Sequence, residues 1–253
     1  MKLTRRHFMR AALYGTPLAF ATNAFCFEPE WIKVRRVRIT KSAPTARLVH
    51  FTDLHFRGDV AYLQSIVERI NSLQPDIVCF TGDIIEDAEW LEPALKVLAN
   101  IKCPLFGVPG NHDHWSGASF APIRKCFEKT GGAWLENKQA EVPALGINIV
   151  GVDRMPASFP PASARKNIVL VHYPEWADQL GGFRYDLILA GHSHGGQVRL
   201  PFYGALIVPF STGKYEVGLF QTAGGPLYVN PGIGYFYLNV RFNCRPEITV
   251  LEV

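Results

Sequence analysis

No Cys-x-x-Cys pair occurs among the five cysteines of this 253-residue chain, so neither a zinc ribbon nor a dithiol redox motif is indicated. No internal repeat or low-complexity tract stands out. A composition of 48% hydrophobic and 19% charged residues excludes disorder, collagen and coiled coil. No apolar run reaches the ~20 residues of a bilayer-spanning helix. Downstream of His194 there is neither a His nor an Asp. The formal net charge of +4 suggests an anionic partner such as nucleic acid, but that excess is local. Lys2, Arg5, Arg6 and Arg10 precede residue 25 without an acidic residue among them. Without them, 22 basic residues face 22 acidic ones, and a nucleic-acid surface loses its support.

Those first residues read as an address. A basic stretch, Thr4-Arg5-Arg6-His7-Phe8-Met9-Arg10, leads into a short apolar run, Ala11–Phe25, with small residues near Ala24. The string resembles a twin-arginine export signal. It implies export to the periplasm or cell envelope through that machinery, with cleavage or retention as a membrane anchor left open. Pro17 argues against a continuous helix here. Residues 1–25 are therefore set apart from a single domain over 26–253.

From Ala46 onward, apolar runs alternate with helical periodicity. Ala46–Phe51, Ile77–Phe80, Pro104–Val108, Gly146–Val152, Ile168–Val171 and Leu187–Ala190 read as strands. Val60, Leu63, Ile66, Val67 and Ile70 mark a helical face, and Leu91, Ala94, Leu95 and Leu98 another. The alternation predicts an α/β architecture with a covered sheet. After Gln197, short strand-like runs ending in Tyr235–Arg241 and Glu247–Val253 predict antiparallel strands, giving a two-layered β core with helices outside.

Five of these strands end in Asp, Asn or His. They run into Thr52-Asp53-Leu54-His55, Thr81-Gly82-Asp83, Gly110-Asn111-His112-Asp113, His172 and Gly191-His192-Ser193-His194. In α/β sheets, ligands bind beyond the carboxyl ends of strands, so these side chains can converge. In extended chain, residues two apart point alike, which pairs Asp53 with His55 and His192 with His194. Oxygen and imidazole donors without thiolate suit Mn²⁺, Fe²⁺ or Zn²⁺. About seven such groups exceed the needs of one ion and suit two, the arrangement that clamps a displacement at phosphorus.

Asp53-x-His55, Gly82-Asp83, Gly110-Asn111-His112-Asp113, His172 and Gly191-His192-x-His194, in that order, resemble the calcineurin-like metallophosphoesterase family over residues 46–253. The tail resembles a bacterial exported or membrane-associated phosphodiesterase subgroup. The resemblance implies a β-sandwich of two mixed sheets flanked by helices. It further implies one metal on Asp53, His55, Asp83 and His194, and a second on Asp83, Asn111, His172 and His192. It assigns His112 to protonating the leaving oxygen, Asp113 to orienting His112, and the attack to a metal-bridging hydroxide. A phosphodiester or pyrophosphate substrate follows, lipid-linked in one version, with UDP-2,3-diacylglucosamine of lipid A synthesis as a concrete instance and an envelope phosphodiester as its competitor.

Two other readings compete. Gly191-x-Ser193-x-Gly195 matches a serine-hydrolase nucleophile elbow, but no Asp and no His follow His194, so the order Ser, acid, His cannot be met. A non-catalytic metal-binding module would share the fold, although Asn111-His112-Asp113 is intact. Among the remaining residues, His50 faces the core or a neighbouring strand, and His114 is expected to be exposed. Arg57 meets either substrate or solvent. The aromatics Phe202, Tyr203, Phe210, Tyr235, Phe236 and Tyr237 either fill the sandwich, the preferred reading, or line a path for acyl chains.

Overall fold

In the computed structural model, residues 4–40, 42–155, 159–162, 165–180 and 182–253 are described, and Met1–Leu3 of the N-terminal address lie outside them. The chain begins with helix α1 (Arg5–Thr22), which runs through Pro17, against expectation. Proline there removes one N–H, and Leu13, whose carbonyl loses its partner, lies on an exposed part of the helix. Residues 23–30 form a π-helical turn and a 3₁₀ turn in which Ala24, Glu28 and Pro29 are buried. Ala24 is buried and its carbonyl accepts the Arg241 N–H at 2.9 Å. Buried Glu28 accepts the Cys244 N–H at 2.6 Å.

Strands β1 (Lys33–Arg38) and β2 (Arg47–Phe51) are followed by helix α2 (Val60–Ser72) and β3 (Ile77–Phe80). Helix α3 (Leu91–Leu98), β4 (Leu105–Gly107), the short α4 (Asn111–Trp115), α5 (Phe120–Lys129) and β5 (Ala133–Trp134) come next. A second sheet begins with β6 (Lys138–Val142), β7 (Ile147–Val152), β8 (Lys166–Val171) and β9 (Leu187–Ala190). A small hairpin, β10 (Arg199–Leu200) and β11 (Gly204–Ala205), precedes β12 (Gly218–Thr222), β13 (Gly225–Val229) and β14 (Glu247–Glu252). The sheets have the orders β1-β14-β2-β3-β4-β5 and β12-β13-β9-β8-β7-β6. Both are mixed: β2, β3 and β4 run parallel, as do β7, β8 and β9, while β14 is antiparallel to β2 and β12 to β13. Tyr235–Arg241 is irregular rather than a strand, because its polar backbone is taken up by Gln197, whose amide donates to the carbonyls of Leu238 and Val240.

Period-two alternation builds three apolar layers. Leu48, Ile77, Cys79 and Phe106 meet Ile149, Ile168, Leu170 and Leu189 between the sheets. Their neighbours Val49, Phe51, Val78 and Phe80 point outward under α2, α3 and α5. On the far side, Val150, Val169, Ile188 and Val229 are covered by Ala177, Leu180 and Tyr215. Strands buried on both faces read as continuous apolar runs, which is why they were legible in the sequence. The cysteines are free: Cys79 is buried in the sandwich and Cys103 is half-buried.

Candidate metal centre

Because β2, β3 and β4 run parallel in one sheet and β7, β8 and β9 in the other, the loops after β2, β3, β4, β8 and β9 open at the same edge of the sandwich. They bring Asp53, His55, Asp83, Asn111, His112, Asp113, His172, His192 and His194 together there. All are buried except His112, which is partly exposed. Three overlapping groups each present donor atoms within 4.8 Å of one another: Asp53, His55 and His194; His55, Asp83 and His112; Asp83, His172 and His192.

Strand periodicity does not cause this convergence. Asp53, His55, Asp83, His192 and His194 all take positive φ, between 43° and 66°, so the expected extended pairing gives way to left-handed turns. Bulky residues rarely adopt that region, and such strain persists where surrounding structure over-determines it. The turns are held by backbone bonds, Asp53 N–H to Gly82 O at 2.9 Å and His55 N–H to Asp83 O at 3.0 Å. Close approach requires glycine at two of them. A Cβ on Gly110 would lie 2.2 Å from Asp83 Oδ1, and one on Gly191 2.2 Å from Thr52 Oγ1.

Each carboxylate is fixed by backbone. Asp83 Oδ1 accepts the His112 N–H at 2.8 Å, which leaves Oδ2 3.5 Å from His55 Nε2 and 3.4 Å from His172 Nε2. Asp53 accepts the His192 N–H. Asp113 accepts three amides, from Gly110, Asp83 and Ile84, at 2.8–2.9 Å. Asp113 therefore clamps the β3 and β4 loops together and does not orient His112. The carboxylate on the His112 ring is Glu86, whose Oε2 lies 2.9 Å from His112 Nδ1 and 2.9 Å from His55 Nδ1. Glu86 also pairs with Arg57 at 3.0 Å. Sequence reasoning missed Glu86 because it stands three residues past Asp83 in a loop; the signal was an acid beside a motif with no assigned partner.

Histidines that bind a metal through one nitrogen characteristically anchor the other. Here His172 Nδ1 donates to Thr81 O at 2.7 Å, His192 Nε2 donates to Phe210 O at 2.6 Å, and His55 Nδ1 meets Glu86. The opposite nitrogens face inward and one another: His55 Nε2 and His194 Nε2 are 3.0 Å apart, as are His172 Nε2 and His192 Nδ1. Asn111 Oδ1 is 2.9 Å from His172 Nε2. Buried lone pairs aimed at common points, beside three aspartates and Glu86, form a donor set that fits divalent cations.

The electrostatics agree. Burial opposes charge on His172, yet Asp83 prevails and holds its pKa up at about 9. Burial pushes Asp53 up to about 6 despite His172. Asp83 itself is held well below the carboxylate range by His172 and His55 despite its burial. His192 is driven down to about 3 by burial and by His172, and His194 is lowered by burial and by His55. Protons thus crowd onto part of the cluster to offset carboxylate charge, a role cations fill better. Burial disfavours charge on His112, but its bond to Glu86 raises its pKa.

The other singled-out residues are resolved by their contacts. His50 is buried between the sheets with Nε2 2.9 Å from Thr81 Oγ1. His114 is exposed, as expected, and bonds Asp153 at 2.7 Å. Arg57 stacks over Tyr235, 4.6 Å from the ring centre. Ser193 is buried and its hydroxyl accepts the Gly195 N–H, so it offers no exposed nucleophile. The aromatics do not fill the sandwich: Phe202, Tyr203, Phe210 and Tyr237 are exposed, and Tyr235 and Phe236 half-buried.

The sequence profile of the calcineurin-like phosphoesterase family matches residues 46–196. Among relatives, the uncharacterized metallophosphoesterase YkuE of Bacillus subtilis is 30% identical over 100% of this chain and 98% of its own. The phosphodiesterase YaeI of Escherichia coli is 28% identical over 99% of both chains. The UDP-2,3-diacylglucosamine pyrophosphatase LpxG of Chlamydia trachomatis is 27% identical over 89% of this chain and 90% of its own.

Proposed function

The chain belongs to the calcineurin-like phosphoesterase family and is a metal-dependent phosphoester hydrolase, and on that premise we propose that it cleaves a phosphodiester or pyrophosphate bond at a dinuclear centre. The observation that carries this reading is the position of Asp83 Oδ2 between His55 Nε2 and His172 Nε2, which links two donor groups through one carboxylate. Asp53, His55, Asp83 and His194 would hold one cation, and Asp83, Asn111, His172 and His192 the other. Two divalent ions there would supply Lewis acidity at a phosphoryl oxygen and would lower the pKa of bound water. The chain's own residues do the rest. Backbone amides and Asp113 fix the carboxylates, and the anchored imidazoles keep their inward nitrogens aimed. His112, whose pKa the bond to Glu86 raises against the effect of burial, is placed to donate the proton that a leaving oxygen needs. Residues 1–25 act as a twin-arginine-type export signal or retained anchor, and 26–253 as the catalytic domain. N-terminal sequencing of the envelope fraction distinguishes the two forms of that segment.

Hydrolysis of bis-p-nitrophenyl phosphate with and without Mn²⁺, Fe²⁺ or Zn²⁺ tests the reading. Metal-dependent turnover that falls about a hundred- to ten-thousandfold in His112→Ala is expected. Two bound metals with no turnover on any phosphoester would mean a binding module instead. For the substrate, the LpxG relative supports a lipid-linked pyrophosphate, UDP-2,3-diacylglucosamine, and the YaeI relative a phosphodiester, which the export-signal reading would place in the envelope. UMP release from the former decides between them.

A further inference from the structure

We propose that the mouth of the site opens on a membrane-docking face, formed by α1 and the segments 198–210 and 235–245, whose partner is an anionic lipid bilayer on which the protein rests without spanning it. This goes beyond the hydrolase reading, does not depend on which bond is cleaved, and rests on residues 1–25 being retained rather than removed.

The first observation is apolar exposure where water is a poor solvent. Along α1, Met9, Leu13, Tyr14 and Leu18 are each at least 66% exposed, and they point to both sides of the helix. Arg5, Arg6 and Arg10 share the helix with these apolar side chains, and a cluster of large apolar groups in water favours a covering partner. No helix among the described residues is long and apolar enough to cross a membrane, so α1 fits the interface plane rather than a span. Phe202 at the β10–β11 turn and Tyr237 are exposed and hold positive φ, 67° and 55°. Aromatics are poorly suited to that backbone region, and among the described residues the one ring contact of these two, Tyr237 against Phe236 at 5.1 Å, leaves Tyr237 exposed. Strain of this kind at exposed tips points to a use for their position.

The second observation is contiguity. Phe20 of α1 lies 5.8 Å from Phe242, edge to face. Phe242 bridges to Val198, and its carbonyl accepts the Arg199 N–H at the root of the β10–β11 hairpin. Gln197 joins that root to Leu238 and Val240. The same loops reach the metal centre: Phe210 lies 5.3 Å from His192 and Phe236 5.2 Å from His194, ring to ring.

The third is charge. Residues 4–27, 198–215 and 231–246 contain no Asp or Glu. Arg5, Arg6, Arg10 and Lys214 are exposed, while Arg199 is already paired with Glu216. Glu216, against the hairpin, is neutralised by Arg199, Glu30 and Asp59 lie at the cleft beside Tyr235, and the apolar segments with the cations Arg5, Arg6, Arg10 and Lys214 match anionic headgroups over an acyl layer.

Sedimentation of the full chain with vesicles tests this. Binding to phosphatidylethanolamine–phosphatidylglycerol vesicles is expected, about tenfold or more above binding to phosphatidylcholine alone. The triple variant Phe202→Ser/Ile207→Ser/Tyr237→Ser should bind the anionic vesicles about tenfold or more weakly, with hydrolysis of soluble bis-p-nitrophenyl phosphate unchanged. Because that variant alters packing elsewhere if misfolded, Arg5→Gln/Arg6→Gln/Arg10→Gln gives a second arm, expected to erase the preference for anionic lipid. Absence of binding to either vesicle, or binding unaltered in both variants, overturns the proposal. A lipid-free dimer in sedimentation velocity, lost in the triple variant and accompanied by no vesicle binding, would assign the face to a second copy of the chain and also overturn it. An inactive protein that still binds vesicles would fail the hydrolase reading and leave this one standing.

Discussion

At the shared edge of the sandwich, the loops after β2, β3 and β4 supply the carboxylates Asp53, Asp83 and Asp113 along with His55 and His112, whereas those after β8 and β9 supply only the imidazoles His172, His192 and His194 to the donor groups. The carboxylates are locked by backbone amides, and two of the three imidazoles, His172 and His192, by single carbonyls. The first set therefore fixes where cationic charge must sit, and the second closes the coordination around it. Of the second set, only His172 is held charged, because it alone lies within 3.4 Å of Asp83.

If that division holds, Asp83→Asn is the most damaging single change, since it removes the carboxylate common to two donor groups. Metal-dependent turnover should fall by about a thousandfold or more, and metal analysis should show fewer than two ions per chain. A variant that keeps two ions and turnover within tenfold of wild type would break the comparison.

Glu86→Gln should act more gently, with turnover down about ten- to a hundredfold. Its signature is the pH profile. Glu86 raises the His112 pKa, so loss of that carboxylate lowers it. The limb on which activity falls as His112 deprotonates should move to lower pH. An unmoved limb would show that Glu86 serves the fold alone.

The smallest effect lies in the sandwich interior, where His50 has no carboxylate beside it. Burial drives its pKa down to about 3, so the unfolded chain takes up its proton near 6.5 and the folded chain does not. Its contribution to stability is complete above 6.5 and is lost as pH falls from 6.5 toward 3, at up to about 1.4 kcal/mol per pH unit. Urea titrations of metal-free protein across that window should show a shallower decline in His50→Gln. An identical slope would place the acid sensitivity in the metal centre instead.

The strands were legible because burial on both faces leaves unbroken apolar runs, as at Ile77–Phe80 and Leu187–Ala190, and the chemistry stood out because each run ends abruptly in Asp, Asn or His. Less visible was how those residues meet. Nothing in Asp53-x-His55 distinguishes an extended pair from two left-handed turns, since φ is set by neighbours such as Gly82 and Gly234 that bond Asp53 from other loops. The aromatic tail misled for a similar reason. Phe202 and Tyr237 are apolar enough for a core, but turns at the edge of a completed sandwich have no interior left to enter.

By itself, then, the sequence determined the donor types, their order and the sheet framework, because side-chain chemistry and hydrophobic period are local properties. Tertiary structure decided which carboxylate touches which imidazole. It gave Glu86 to His112 and Asp113 to the backbone, and it left the apolar loops outside. Those outcomes depend on distances between loops from different strands and different sheets, which no spacing along one chain encodes.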